Sequence, residues 1–128
     1  MAVQAPEQSA ALLAQARSML VDASRCGEPG ERFRLAHLAA LRIAAAAVAE
    51  RGRPAGTRRR LVSVWLLLAK AAPEYDNWGQ YFAAGAPIRA AIEAGAQSAV
   101  SPAGADAQLH AAAEFLGAVE GSLGMLAA

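Results

Sequence analysis

The chain has 128 residues and a net charge of +1; 55% of its residues are apolar, and alanine alone exceeds a quarter. This length gives one domain with a sizeable core, and the excess of alanine over strand-forming residues predicts an all-α helical bundle. The single cysteine, Cys26, excludes an internal disulfide and a cysteine-based zinc site.

The first half of the chain carries two long helical patterns. Apolar spacing after Pro6 predicts a first helix over residues 6–24, with residues 1–8 as a frayed N-terminus. Breakers at 26–30 separate it from a second amphipathic helix that runs to about residue 50. At about 100° per residue, Phe33 and His37 fall on its apolar stripe, whereas Ala46 falls on the opposite side.

Three further helices are predicted, which gives a bundle of about five. The third spans residues 58–72 and is apolar nearly all round, so it is either buried centrally or offers its outer face to a partner. The fourth runs from 74 to 94, with a break or kink at 85–87 and a stop at Gly95. Ser101 caps the fifth helix, whose first residue is Pro102. One domain over residues 9–123, with a tail over 124–128, follows.

No targeting or membrane-spanning segment is expected. The N-terminal residues lack a basic region followed by an apolar run, so we expect no signal peptide and a cytoplasmic location. The most apolar run, residues 61–69, is far shorter than the roughly 20 residues that cross a bilayer. We predict neither a cofactor nor a metal site.

Charge is unevenly distributed along the chain. Residues 1–31 carry −2, residues 32–70 carry +8, and residues 71–128 carry −5. The basic middle and the acidic C-terminal half could pair within the chain or between subunits, or the basic part could bind a polyanion. The candidate nucleic-acid-binding residues are Arg51, Arg53, Arg58, Arg59 and Arg60. Their phosphate contacts would be independent of sequence and sensitive to salt, and the alternative is a solvated loop.

His37 is the candidate catalytic residue, together with Arg32 and Arg34. Arg34 lies one turn before His37 on nearly the same face, whereas Arg32 lies about 140° away around the helix. A neutral imidazole can take a proton from a 2′-hydroxyl, and a guanidinium can hold the phosphate, which together suit RNA cleavage without a metal. The alternative is a core histidine beside solvated arginines.

Two other groups of residues are expected to be structural. His110 shares a polar helix face with Asp106 and Glu114, which indicates a surface helix with favourable pairs four residues apart. An aromatic stripe could stack on bases, but its helical spacing favours the core. This stripe consists of Tyr75, Trp78, Tyr81 and Phe82.

The segments 31–42, 64–74, 81–86 and 114–116, with Trp78, together resemble an actinobacterial alanine-rich family of the HEPN superfamily. The resemblance covers roughly residues 9–123. It implies a helical bundle that often dimerises and that is either a metal-independent ribonuclease or a noncatalytic RNA-binding or assembly module.

The active-site pattern that the resemblance implies is an arginine, usually a polar residue, three to five further residues, and then a histidine. Arg32 and His37 match this spacing, but Phe33 replaces the polar residue and the pair lies on the second helix rather than near the start of a later one. The sequence therefore favours a noncatalytic binding module that forms a homodimer. The alternative is a metal-independent endoribonuclease. A binding module predicts an enclosed His37, and a nuclease predicts His37 at an open groove near an arginine.

Overall fold

A computed structural model describes residues 5–54 and 62–124, and within these ranges the chain is helical without strands. The helices are α1 (Ala5–Arg25), α2 (Pro29–Arg51), α3 (Val64–Ala71), α4 (Asp76–Ala84), α5 (Ala86–Glu93) and α6 (Pro102–Ser122), with 3₁₀ turns at Pro73–Tyr75 and Gln97–Ala99. The predicted all-α bundle is confirmed. Within the described residues the expected fourth helix is divided into two helices, α4 and α5, at the predicted break. None of the helices in these ranges is long and apolar enough to cross a membrane.

Helix α2 is the centre of the bundle, where it packs against α1, α3, α5 and α6. It is buried on nearly every side because most of its core positions are alanine, whose small side chain lets neighbouring helices approach closely. The fully or almost fully buried alanines are Ala36, Ala39, Ala40, Ala44, Ala46 and Ala47.

Ala46 lies on the side of α2 opposite the apolar stripe, but this side is not exposed to solvent. Ala46 is fully buried, because α1 covers that side of α2. The hydroxyl of Ser9 on α1 donates a hydrogen bond of 3.1 Å to the carbonyl oxygen of Ala46. Helix α1 is also joined to α6 by an ion pair between Arg17 and the buried Glu120. It begins at Ala5, so residues 5–8 of the predicted frayed segment are helical.

Helix α3 begins later than predicted, at Val64 rather than near residue 58. The physical reason is a cap: the Ser63 hydroxyl accepts a hydrogen bond of 3.2 Å from the backbone N–H of Trp65. The predicted start of this helix and the three arginines at 58–60 lie outside the described residues. Leu67 and Leu68 are buried but Leu66 is 50% exposed, so α3 covers the core with one face only.

The remaining helix boundaries agree with the sequence. Gly85 separates α4 from α5, and Pro87 occupies the first turn of α5. Gly95 follows α5 with φ of 107°, a left-handed conformation that glycine adopts without strain. The hydroxyl of Ser101 accepts a hydrogen bond of 3.0 Å from the backbone N–H of Gly104, which caps α6.

Three of the four aromatic residues of the predicted stripe pack into the core around Phe115 of α6. The ring of Phe115 lies with its centroid 5.8 Å from Tyr75, 5.4 Å from Trp78 and 5.7 Å from Phe82. The prediction of a core role holds for these three. Tyr81 differs, because 44% of it is exposed.

The close packing of α2 gives a stability prediction. Ala40→Leu should lower the free energy of unfolding by about 1–3 kcal/mol, because the added methylene groups have no space at a fully buried position. The matched control is Ala113→Leu on the exposed side of α6, which should change it by less than about 0.5 kcal/mol. Urea denaturation of both variants measures the difference, and equal losses would contradict the packing argument.

Candidate functional site

His37 lies in the middle of the bundle, with only 1% of its surface exposed. Its imidazole stacks on Phe33, one turn earlier on α2, with ring centroids 6.0 Å apart and planes at 12°. The indole of Trp65 on α3 meets it edge-on, with centroids 6.3 Å apart. Helix α4 closes the remaining side, and the Nε2 atom lies 2.8 Å from the carbonyl oxygen of Phe82.

The hydrogen bond to Phe82 fixes the tautomer of His37. A carbonyl oxygen only accepts, so Nε2 carries the proton and donates it, and Nδ1 is left with a lone pair. Nδ1 finds no hydrogen-bond partner among the described residues. The carbonyl of Phe82 also accepts from the backbone N–H of Gly85 at 2.9 Å, so His37 helps satisfy a carbonyl at the C-terminal end of α4.

The imidazole is neutral near pH 7. Burial is the largest effect and lowers the pKa of His37 below its ordinary value of 6.5, whereas the hydrogen bond to the Phe82 carbonyl raises the pKa less strongly. The positive charge of Arg89 lowers this pKa and the negative charge of Glu93 raises it. His37 is therefore an uncharged side chain whose Nε2–H donates to the Phe82 carbonyl and whose Nδ1 keeps a buried lone pair.

Gly85 makes room for this arrangement at the junction of α4 and α5. A Cβ atom on Gly85 would lie 3.2 Å from Cζ of Phe33, 3.3 Å from the oxygen of Phe82 and 3.4 Å from Cδ2 of His37. The distances to Phe33 and to the Phe82 oxygen are shorter than most Cβ contacts, whereas the distance to His37 is at the lower limit of ordinary van der Waals contact. The glycine lets the chain break directly above the histidine.

The structure does not bring Arg32 or Arg34 to His37 by a hydrogen bond. Arg32 donates from Nε and a terminal nitrogen to the carbonyl oxygen of Cys26, at 3.1 and 2.8 Å, and from its other terminal nitrogen to Asp106 at 2.5 Å. Arg34 makes two hydrogen bonds of 2.8 Å with Glu31. Arg32 thus joins the end of α1 to α6. The catalytic assignment of His37, Arg32 and Arg34 stays a prediction.

Helix α5 supplies the charges that act on the imidazole, and the sequence pattern did not single them out. Arg89 lies one turn after Gly85, and its Nε atom is 3.8 Å from a carboxylate oxygen of Glu93. The Nε and one terminal nitrogen of Arg89 are buried without a hydrogen-bond partner among the described residues. Only the packing of α5 on α2 places these groups near His37, so no motif in the sequence could indicate them.

Of the five arginines predicted to bind nucleic acid, Arg51 and Arg53 are among the described residues. The guanidinium of Arg51 pairs with the carboxylate of Glu74 and donates to the carbonyl oxygen of Ala71 at 3.3 Å. The hydrogen bonds of this pair raise the pKa of Arg51 and lower the pKa of Glu74. Arg53 is also engaged with its surroundings. Arg58, Arg59 and Arg60 lie outside the described residues, so the nucleic-acid assignment of these arginines stays a prediction.

His110 is a surface residue. Its side chain is 77% exposed, and its Nε2 atom lies 3.5 Å from a carboxylate oxygen of Glu114. Asp106 pairs with Arg32 instead. In the part of the chain that the structure describes, no three His, Cys, Asp or Glu side chains cluster as metal ligands.

The space above His37 gives a prediction for glycine substitutions. Gly85→Ala should lower the free energy of unfolding by about 1 kcal/mol, because the new methyl group presses on Phe33 and His37. Gly117→Ala on α6 is the matched control, since a Cβ there meets nothing within 4 Å. That control should raise stability by up to about 1 kcal/mol through helix propensity. Equal effects in thermal or urea unfolding would contradict the close contact.

The neutral imidazole gives a prediction for the pH dependence of stability. The folded pKa of His37 lies below the unfolded value of about 6.5, so its contribution is complete above that pH. As the pH falls further, the unfolded chain binds a proton that the folded chain resists, and stability drops by up to about 1.4 kcal/mol per pH unit. Urea denaturation between pH 7 and pH 5 measures this slope.

The control for this slope is His37→Gln, whose amide can still donate to the Phe82 carbonyl but does not titrate. It should show a shallower loss of stability on acidification than the wild type. His110→Gln removes the exposed histidine instead and should keep the wild-type slope. Identical slopes for the wild type and His37→Gln would show that the imidazole does not resist protonation.

Comparison with known proteins gives one family match. The model of the SAV_6107-like HEPN family matches residues 23–120. No curated protein and no solved structure matches the chain. The matched region contains α2 to α5 entirely, nearly all of α6 and the end of α1. Since the match covers most of the sequence, the chain belongs to the SAV_6107-like HEPN family.

Proposed function

We propose that this protein is a noncatalytic binding and interaction module of HEPN type that works in a cytoplasmic nucleic-acid processing system. The enclosure of His37 carries this proposal. A general base must come within hydrogen-bond reach of the proton that it removes. The imidazole is 1% exposed, and its protonated nitrogen is committed to the carbonyl of Phe82.

The arginines next to the histidine support the same role. A guanidinium that binds phosphate in a nuclease needs free N–H groups directed at the substrate. Arg32 uses three of its nitrogens on Cys26 and Asp106, and Arg34 uses two on Glu31. These contacts favour a structural role in which Arg32 joins three helices.

RNA or another polyanion and a second copy of the chain are the proposed partners. The segment from Arg51 to Arg60 supplies the positive charge for phosphate contacts, although Arg51 itself is paired with Glu74. A homodimer would use apolar helix faces, and α3 offers the half-exposed Leu66 for this purpose. HEPN domains often dimerise, which supports the second partner.

A metal-independent endoribonuclease is the second candidate, and one observation favours it. The imidazole of His37 is neutral and keeps a lone pair on Nδ1 without a hydrogen-bond partner among the described residues, which is the state that a general base needs. Catalysis by His37 with Arg32 or Arg34 would require the bundle to open and those arginines to leave their carboxylate and carbonyl partners.

Incubation with RNA in the presence of EDTA tests the choice between these functions. We expect no cleavage above a buffer control, because the imidazole cannot reach a 2′-hydroxyl, and we expect His37→Gln to behave like the wild type. Gel analysis of an end-labelled single-stranded RNA measures the rate.

The matched control is His110→Gln, which removes the exposed histidine. Cleavage that survives EDTA, disappears in His37→Gln and persists in His110→Gln would overturn the noncatalytic role. Circular dichroism of both variants ensures that each is folded, so that a loss of activity is not a loss of structure.

A further inference from the structure

Two neighbouring cavities form a groove between α4–α5 and α6, and the second of them is lined in part by Phe33 and Gly85, which lie against the buried His37. The first, of about 390 Å³, is lined by residues that include Trp78, Tyr81 and Ala111. The second, of about 300 Å³, is lined by residues that include Tyr81, Ile88 and Gln108. Tyr81 belongs to both linings, so it lies where the two cavities meet.

The walls of this groove are rows of residues at helical spacing. On α4 and α5 the row consists of Trp78, Tyr81, Gly85 and Ile88. On α6 the row consists of Gly104, Gln108 and Ala111. The α6 row is built from short side chains apart from Gln108, which leaves depth between the helices. A groove between two helices suits a peptide that inserts apolar side chains at intervals of three or four residues.

Tyr81 is the exposed aromatic residue of this groove. It is 44% exposed, whereas its neighbour Phe82 is fully buried. A partly exposed tyrosine offers a large apolar surface together with a hydroxyl, a combination enriched at the centres of protein interfaces. Tyr81, the residue of the predicted core stripe that is exposed, is thus also the residue that both cavities share.

Gln108 adds an unused polar group to the second cavity. This side chain is 3% exposed, and its amide nitrogen has no hydrogen-bond partner among the described residues. A buried donor without an acceptor is unfavourable, and a carbonyl oxygen entering the cavity would satisfy it. The second cavity therefore suits a single apolar side chain whose peptide group or amide supplies the acceptor.

The charge around the groove selects the kind of partner. Helices α4, α5 and α6 come from residues 71–128, which carry one arginine against six acidic residues. Glu74 lines the first cavity but is paired with Arg51, and Glu93, Asp106 and Glu120 are also paired with arginines. Asp76 and Glu114 remain as carboxylates without an arginine partner among the described residues, and the side chain of Glu114 is 60% exposed. These two carboxylates disfavour a phosphate-bearing ligand and favour a basic peptide.

We propose that the groove between α4–α5 and α6 binds a net basic, amphipathic segment of a partner protein. The segment places one apolar side chain on each side of Tyr81, and a carbonyl group accepts a hydrogen bond from Gln108. This inference rests on the proposed role as a binding module and names the class of its protein partner.

A pair of synthetic peptides tests the proposal. Each forms about four helical turns with Leu and Phe on one face; the first has Lys at the remaining positions and the second has Glu. Fluorescence anisotropy with the labelled peptides should show that the Lys peptide binds the full chain at least tenfold more tightly than the Glu peptide. Equal binding, or no binding of the Lys peptide, overturns the proposal.

A matched pair of variants locates the binding. Ala107 lines the second cavity and Ala113 does not, and both are exposed on α6. Ala107→Met places a larger side chain in the second cavity. It should lower the affinity of the Lys peptide about tenfold, the loss expected when one apolar side chain of the peptide can no longer be buried. Ala113→Met should leave the affinity within about twofold. Equal affinities in the two variants mean that the peptide binds elsewhere and overturn the groove.

Two further measurements keep this outcome separate from the proposed function. In heteronuclear NMR, the Lys peptide should shift the side-chain amide resonances of Gln108, and unchanged resonances overturn its role as donor. Labelled single-stranded RNA without the peptide should bind the wild type and Ala107→Met equally, and RNA binding that weakens about tenfold in Ala107→Met would assign the groove to RNA instead. Failure of peptide binding leaves the RNA cleavage test unaffected, so the two proposals stand or fall separately.

Discussion

The hydrogen bond from His37 to the carbonyl of Phe82 is the contact on which the arrangement of the bundle depends. It joins the central helix α2 to the end of α4, where the chain breaks and turns into α5. Buried polar groups are tolerated only when they find partners, so this bond fixes the tautomer of the ring and holds the end of α4 against α2. Gly85 suits this junction because a Cβ atom there would lie too close to the ring of Phe33.

The same contact explains why a residue with catalytic potential serves the fold. An imidazole that acts as a base needs access to solvent and substrate, whereas this one is covered by Phe33, Trp65 and α4. The neutral state that burial enforces is compatible with either use. The two uses differ in whether a substrate can reach the imidazole. The enclosure of the ring favours the proposed binding module, whose partners would contact the outer surface of the bundle.

The outer surfaces differ in charge and shape. Nine of the twelve basic residues lie between positions 32 and 70, whereas residues 71–128 carry six acidic residues against one arginine. The groove between α4–α5 and α6 belongs almost wholly to the acidic part, and it contains an exposed Tyr81 and a buried Gln108 with an unused donor. The proposed RNA and peptide partners would therefore use different parts of the chain.

The sequence by itself determined the helical class, the break at Gly85, the stop at Gly95 and the cap at Ser101, because these follow from local propensity and backbone geometry. The family resemblance, carried by most of the chain, was likewise visible in the residues.

Only the tertiary structure decided that α2 is central, that Arg32 binds Cys26 and Asp106, and that the charge of Arg89 acts on the pKa of His37. Alanines occur on several sides of α2, so its periodicity could not reveal that α1 covers the side that contains Ala46. Partners distant in sequence are likewise set by how helices pack, which no local pattern encodes.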